Sequence, residues 1–490
     1  MSRNIIVRIK RCKQVILLLL FTGILAFSGC TPASENLQPL QNYKTLIDFQ
    51  YDLVDIKQDE KVIVVKQDGL YGAYVKANGS WELKIPIQYT RIFCQQSIAA
   101  YLDEDHVDLY RLDGSRIIEQ TVRSVGIASI FNESGITVSI DGEHVGYMSL
   151  AGEWILEPKY TPTILPITDD SYLVNTESET SSDWIDVNGE SLLPKDKNII
   201  GVLDDSTFPC INVLVNDNGT TYYGVIDPDG KYILPPIYSN IIFKRDEAGT
   251  LYLNPYDKLS QTAYLYRPNG EKVFQQGYTI INPASEGLFE VKENDRFGVV
   301  NEKGDTVIPI INDSITAKGQ FIVTGDNNVE TTQRFSYRIY DKAGNPISKT
   351  EYDEVYLFED APNLAVVEKD QKIGFLSADS KISIPLIYEN FSRSYSEDCD
   401  VLLVKKDGKW GGIDLENNVL IDFLYSDAVY CSNDLIYAVR DRTAGVISAD
   451  GNIVLPFELD PPVEPDPLIG SEHIVVAWKN GKCGCVEIER

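Results

Sequence analysis

Lys405-Lys406-Asp407-Gly408-Lys409-Trp410-Gly411-Gly412-Ile413-Asp414 is the stretch from which the fold is read. Apolar residues Val401 to Val404 precede it, and an Asp-Gly turn separates them from the pair Trp410-Gly411. A second apolar run and another turn follow, which is the pattern of a β-hairpin. Taking Gly411 as an anchor, the same slot holds Gly72, Gly146, Gly224, Gly298, Gly374, Gly445 and Gly484. Asp108, Asp183, Tyr264 and Arg338 fill it in four further copies. The twelve anchors lie 34 to 41 residues apart.

Other landmarks keep the register. A glycine recurs six residues after the anchor (Gly114, Gly152, Gly189, Gly230, Gly270, Gly304, Gly344, Gly451). A proline recurs at eleven (Pro194, Pro235, Pro309, Pro385, Pro456) and a tyrosine at fourteen (Tyr160, Tyr238, Tyr352, Tyr388, Tyr425). The glycine after Asp or Asn supplies a positive φ in a tight turn. The proline has no N–H to donate and stops strand pairing. The anchor glycine leaves room for a close backbone or ring, and the aromatic before it (Tyr71, Tyr223, Phe297, Trp410) fills space between repeats.

The pattern resembles the bacterial WG repeat, a Trp-Gly-containing β repeat found in tandem in secreted and lipid-anchored proteins. Trp410-Gly411 matches the Trp-Gly pair literally. Tyr71-Gly72, Tyr223-Gly224 and Phe297-Gly298 are aromatic variants, and Ile373-Gly374, Ala444-Gly445 and Cys483-Gly484 depart further. The resemblance implies an all-β repeat scaffold and carries no catalytic residues. With strands apolar on both faces (Val225-Ile226, Val299-Val300, Val446-Ile447), stacked sheets of a β-propeller-like fold are expected. Twelve repeats predict one large ring or two smaller ones, residues 43–280 and 281–490, with an open β-solenoid as the alternative. The weakest repeat, Asp246–Gln276, marks the break between two rings.

The ends fit this scheme. Leu46-Ile47-Asp48-Phe49-Gln50-Tyr51 matches Leu420-Ile421-Asp422-Phe423-Leu424-Tyr425, so the repeats open on the second half of one copy. The chain closes at Arg490 on the first half of another. Joined, the two halves make one repeat, as closure of a ring requires.

Residues 1–14 are basic, and Val15 to Phe27 is largely apolar. Thirteen residues are too few to span a bilayer, which takes about 20, so residues 1–30 read as a signal peptide. Ser28-Gly29-Cys30 resembles a lipobox, which implies that Cys30 becomes a lipidated N-terminus. Residues 31–42, polar with two prolines, form a tether. The expected address is the extracytoplasmic face of the cell envelope, with membrane contact through the lipid alone.

The net charge of −29 argues against a nucleic-acid partner. Three His residues show no metal spacing, and no phosphate loop or nucleophile elbow occurs. Cys94, Cys210 and Cys431 occupy one slot in different repeats, so they should not pair with one another. Cys399 lies in an acidic loop with no evident partner. Cys483 and Cys485 share one face of a strand and read as core. The expectation is a non-enzymatic binding or scaffolding module without cofactor or metal, whose partner is a protein or a cell-envelope glycan. The alternative is an extracellular carbohydrate-active enzyme on a propeller.

Overall fold

The computed structural model describes residues 43–488 except 58–59, 78, 124–130, 133–134, 162–163, 176–181, 196, 198, 204–208, 218, 257–261, 329–333, 394, 396–400, 432–433 and 462–473. Cys30, the signal segment, the tether, Cys399 and His473 lie outside the described residues. The described residues belong to one compact body.

Its secondary structure is β throughout, in antiparallel sheets that follow one another along the chain. The tenth repeat shows the plan. Asn390–Phe391, Leu402–Lys406, Lys409–Ile413 and Val419–Tyr425 pair in chain order as inner, second, third and outer strands. Leu402 to Val404 are all buried because neighbouring sheets cover both faces. The outer strand alternates, with Ile421 and Tyr425 inward and Val419 and Leu424 outward. Ala428–Tyr430 reads from the sequence as the last segment of this repeat. The structure instead makes Asp427–Tyr430 the inner strand of the next sheet, paired with Leu435–Arg440. The crossing is made at Ser426, whose N–H donates to the Val439 carbonyl at 2.8 Å.

The anchor residue decides whether a repeat has an outer strand. A methyl group on Gly411 would lie 2.8 Å from the Ile421 carbonyl oxygen and 2.9 Å from the Phe423 ring. The carbonyl ten residues on crowds Gly146, Gly224, Gly298, Gly374 and Gly445 in the same way, at 2.5–3.2 Å. Ile85 does so over Gly72 and Ile47 over Gly484. A β-bulge opposite the anchor pushes that carbonyl inward. All eight anchor-glycine repeats have an outer strand of six residues or more. Among the described residues the four others pair there only by single bridges or a two-residue strand: Tyr110↔Arg116 and Val122–Arg123, Ile185↔Ser191 and Ser182↔Val202, Tyr266↔Lys272 and Ala263↔Tyr278, Tyr340↔Pro346 and Tyr337↔Tyr352. A side chain at the anchor takes the space the bulge needs. The repeat read as weakest is the most reduced, with two full strands, Asn240–Arg245 and Leu251–Tyr256.

Successive repeats share cores. One core cluster joins the sixth repeat to the seventh, through Tyr252 and Phe274 with Phe289 and Val291. Others join the ninth to the eleventh and the eleventh to the twelfth. The last joins the twelfth to the first, through Ile474 and Cys485 with Ile63 and Val65. Rings stack across such joints: Tyr388 on Phe423 at 6.2 Å, and Tyr425 on Phe457 at 5.9 Å. The terminal half-repeats complete each other, because Tyr43–Tyr51 pairs antiparallel with Lys482–Ile488 as its outer strand. The first and last repeats are thereby joined, and the fold is β-propeller-like.

Carboxylates repeat at the joints. Asp52, Asp313, Asp353, Glu389 and Asp460 each accept a backbone N–H from the next repeat's hairpin, at 2.7–2.9 Å. Asp52, Asp313 and Glu389 also pair with the cation two residues before the anchor of their own repeat: Lys482, Arg296 and Lys372. Asp52 and Lys482 lie 2.7 Å apart, so the seam between the chain ends is fastened like an interior joint.

Candidate functional site

The residues picked from the repeat pattern are spread over the whole body, one set per repeat. Trp410, 9% exposed, lies in the core opposite Tyr425. The glycines six after the anchor hold φ between 76° and 93°, and their N–H groups close turns onto the residue three earlier. In those turns Asp186, Asn301 and Asp341 accept two backbone N–H groups each, as does Asp414 in the matching turn closed by Asn417. The Asn418 amide at Asp414, and the Glu190 N–H at Asp186, hold these carboxyls below the usual carboxylate range.

Cys94, Cys210, Cys431, Cys483 and Cys485 are free thiols. Burial pushes Cys483 and Cys485 up to about 12, so neither is a thiolate at neutral pH. His106 and His144 each bond through Nδ1 to an Asp three residues before, in exposed turns. Asp108, 2% exposed, accepts from Tyr89 at 2.8 Å, Arg116 at 2.7 Å and Thr121 at 2.7 Å. Its charge is compensated inside the body, which is what a buried carboxylate requires. Among the described residues, no three His, Cys, Asp or Glu side chains are grouped to hold a metal ion.

A different set of residues makes a concave surface. The inner strands Ser314–Lys318 and Glu354–Leu357 flank a cleft of about 520 Å³ between the eighth and ninth repeats. Thr316, Lys318, Glu354 and Tyr356 line it. Period-two alternation puts Thr316 with Lys318, and Glu354 with Tyr356, on one face of each strand. Behind Tyr356 stand Phe358 at 5.2 Å and Phe391 at 5.5 Å between ring centres, and the Arg393 guanidinium lies 5.3 Å from its ring. Lys318 pairs with Glu359 at 3.2 Å.

Neighbouring carboxylates fix the wall. Glu290 accepts the Ala317 N–H at 2.8 Å, and Glu247 accepts that of Gly319 at 2.8 Å. Burial, then the nearby Glu247 charge, pushes the Glu290 carboxyl up against the pull of the Ala317 N–H. Such a cleft offers an aromatic face, a cation and a carboxylate to a ligand. The sequence pattern does not single it out, because Tyr356 and Phe391 lie on short strands where an aromatic reads as core. A smaller cleft, about 270 Å³, lies by Asp183, whose carboxylate accepts from the Ser191 hydroxyl at 2.7 Å.

The profile of the WG containing repeat matches residues 223–244, 337–372 and 373–410, so WG-containing repeats are present. No curated protein matches the chain in sequence. Among solved structures, a eukaryotic initiation factor is similar at 10% identity, over 67% of this chain and 86% of that one, with a TM-score of 0.32. The tricorn protease is similar at 12% identity, over 90% of this chain and 55% of its own, with a TM-score of 0.23. The WD40 domain of SCAP from fission yeast is similar at 9% identity, over 85% and 98%, with a TM-score of 0.23.

Proposed function

We propose that this is a lipid-anchored, extracytoplasmic repeat protein that works as a non-enzymatic binding or scaffolding module. The observation that carries the binding role is the cleft between the eighth and ninth repeats, with the half-buried Tyr356 ring beside Lys318 and Glu354. A rigid stack of sheets holds these groups at fixed spacing, which suits recognition. The anchoring rests on the basic, apolar and Ser28-Gly29-Cys30 segments of the first thirty residues. Lipid on Cys30 and a tether of about a dozen residues would hold the body close to the membrane.

The test is crosslinking in the native cell envelope, comparing wild type with a Lys318→Ala, Tyr356→Ala double variant. Loss of one crosslinked protein or glycan species from the variant is expected. Equal recovery from both would remove the cleft as the binding site. In the same cells, Cys30→Ala should move the protein from the membrane to the soluble fraction; unchanged membrane association would overturn the anchor.

A further inference from the structure

Outer strands leave one edge unpaired, a template for pairing with another chain. Most of those here carry a proline, which blocks that use. Pro86, Pro158, Pro235, Pro309, Pro385 and Pro456 interrupt six of the eight. The two without proline are Tyr43–Tyr51 at the seam and Val419–Tyr425 in the tenth repeat. Where the seam strand exposes Lys44, Asp48 and Gln50 and the single large apolar residue Tyr43 at 40%, the tenth exposes Val419 at 53%, Leu420 at 39% and Leu424 at 48%. Among the described residues, no strand pairs with its outer edge.

The surroundings are acidic. Asp414 and Glu416 lie in the turn before the strand, Asp422 in its middle and Asp427 just after it. Lys409, on the third strand, and Arg440, beside Tyr425, are the neighbouring cations. With 73 acidic against 44 basic residues overall, a second copy of this chain is repelled and a cationic segment attracted.

We propose that the free edge of Val419–Tyr425 is a docking site for an extended segment of a partner protein in which apolar residues alternate with Lys or Arg. Main-chain hydrogen bonds would add the segment to the sheet as a fifth strand. Val419, Asp422 and Leu424 face outward together, so the segment's cations would lie on that face with their apolar stems along Val419 and Leu424, and its apolar side chains would lie on the inward face beside Phe423. Its cations would meet Asp414, Glu416, Asp422 and Asp427.

The slot of Asp422, eleven residues after the anchor, holds Pro235, Pro309, Pro385 and Pro456 in other repeats. Asp422→Pro therefore uses a residue this fold accepts there. The probe is a fluorescent eight-residue peptide of alternating valine and lysine, titrated into the full chain at low salt; a valine–glutamate peptide is the comparison. Saturable binding of the lysine peptide to wild type is expected, with affinity at least about tenfold lower for Asp422→Pro, a loss of about 1.4 kcal/mol, at unchanged circular dichroism. Should Asp422→Pro misfold, Val419→Lys with Leu424→Lys alters only exposed side chains and should weaken binding by a similar factor. Three results would each overturn the proposal: equal binding by wild type and the edge variants, equal binding of both peptides, or a wild-type dimer that the edge variants abolish.

Discussion

The smallest decisive feature is a missing side chain. Gly411 and Gly408 are three residues apart and are glycine for different reasons. Gly408 has φ of +74° with open space around it, so alanine there meets backbone strain alone, about 1 kcal/mol. Gly411 needs no unusual φ, but alanine would press into the Ile421 carbonyl and the Phe423 ring. Part of the bulged strand would have to move, at about 2–3 kcal/mol. Gly411→Ala should thus lower the melting temperature more than Gly408→Ala, as thermal unfolding will read; the reverse order would contradict the crowding account. Position 411 was legible in the sequence as an anchor because a steric demand recurs at a fixed spacing. The roles of Tyr356, Lys318 and Arg393 were not. They come together from three different repeats, and no local spacing encodes that approach.

Among elements, the seam is the informative one. Its register follows from the matching segments at Leu46 and Leu420, since a shift of one residue would turn Ile47 and Tyr51 outward. The fate of the outer strands had a signal too, in the four anchors that are not glycine, but its meaning needed the bulge seen in three dimensions. The hydrogen bond from Lys482, then that from the Asp68 N–H, lowers the pKa of Asp52 in the folded state. A lowered carboxyl pKa contributes stability that is present above the unfolded value of about 3.9 and lost as pH falls through the folded value. Asp52→Asn should therefore speed amide exchange over Lys482–Ile488 at neutral pH. The gap from wild type in thermal melting should close in acid, below the ordinary carboxylate range; a gap that persists there would show that the carboxylate is not what fastens the seam. The effect is small, because the pair is exposed and screened by salt.

At the scale of the molecule, Tyr43 sits opposite Ile488, so the ends of the repeat body are neighbours. A short flexible linker can join them, and new ends can be opened elsewhere. Opening at the turn between Glu416 and Asn417 reproduces the natural arrangement two repeats away, with an outer strand leading the chain. That permuted protein should keep the far-ultraviolet circular dichroism of the parent and melt cooperatively; an unfolded product would show that closure depends on the natural ends. The antiparallel seam has a mechanical side as well. Force applied between the two ends enters at Tyr43↔Ile488 and separates the strands pair by pair, as a zipper opens, instead of sliding them past each other with all bonds loaded together. The seam is therefore the joint that yields first under tension, leaving the other nine sheets of the described residues intact.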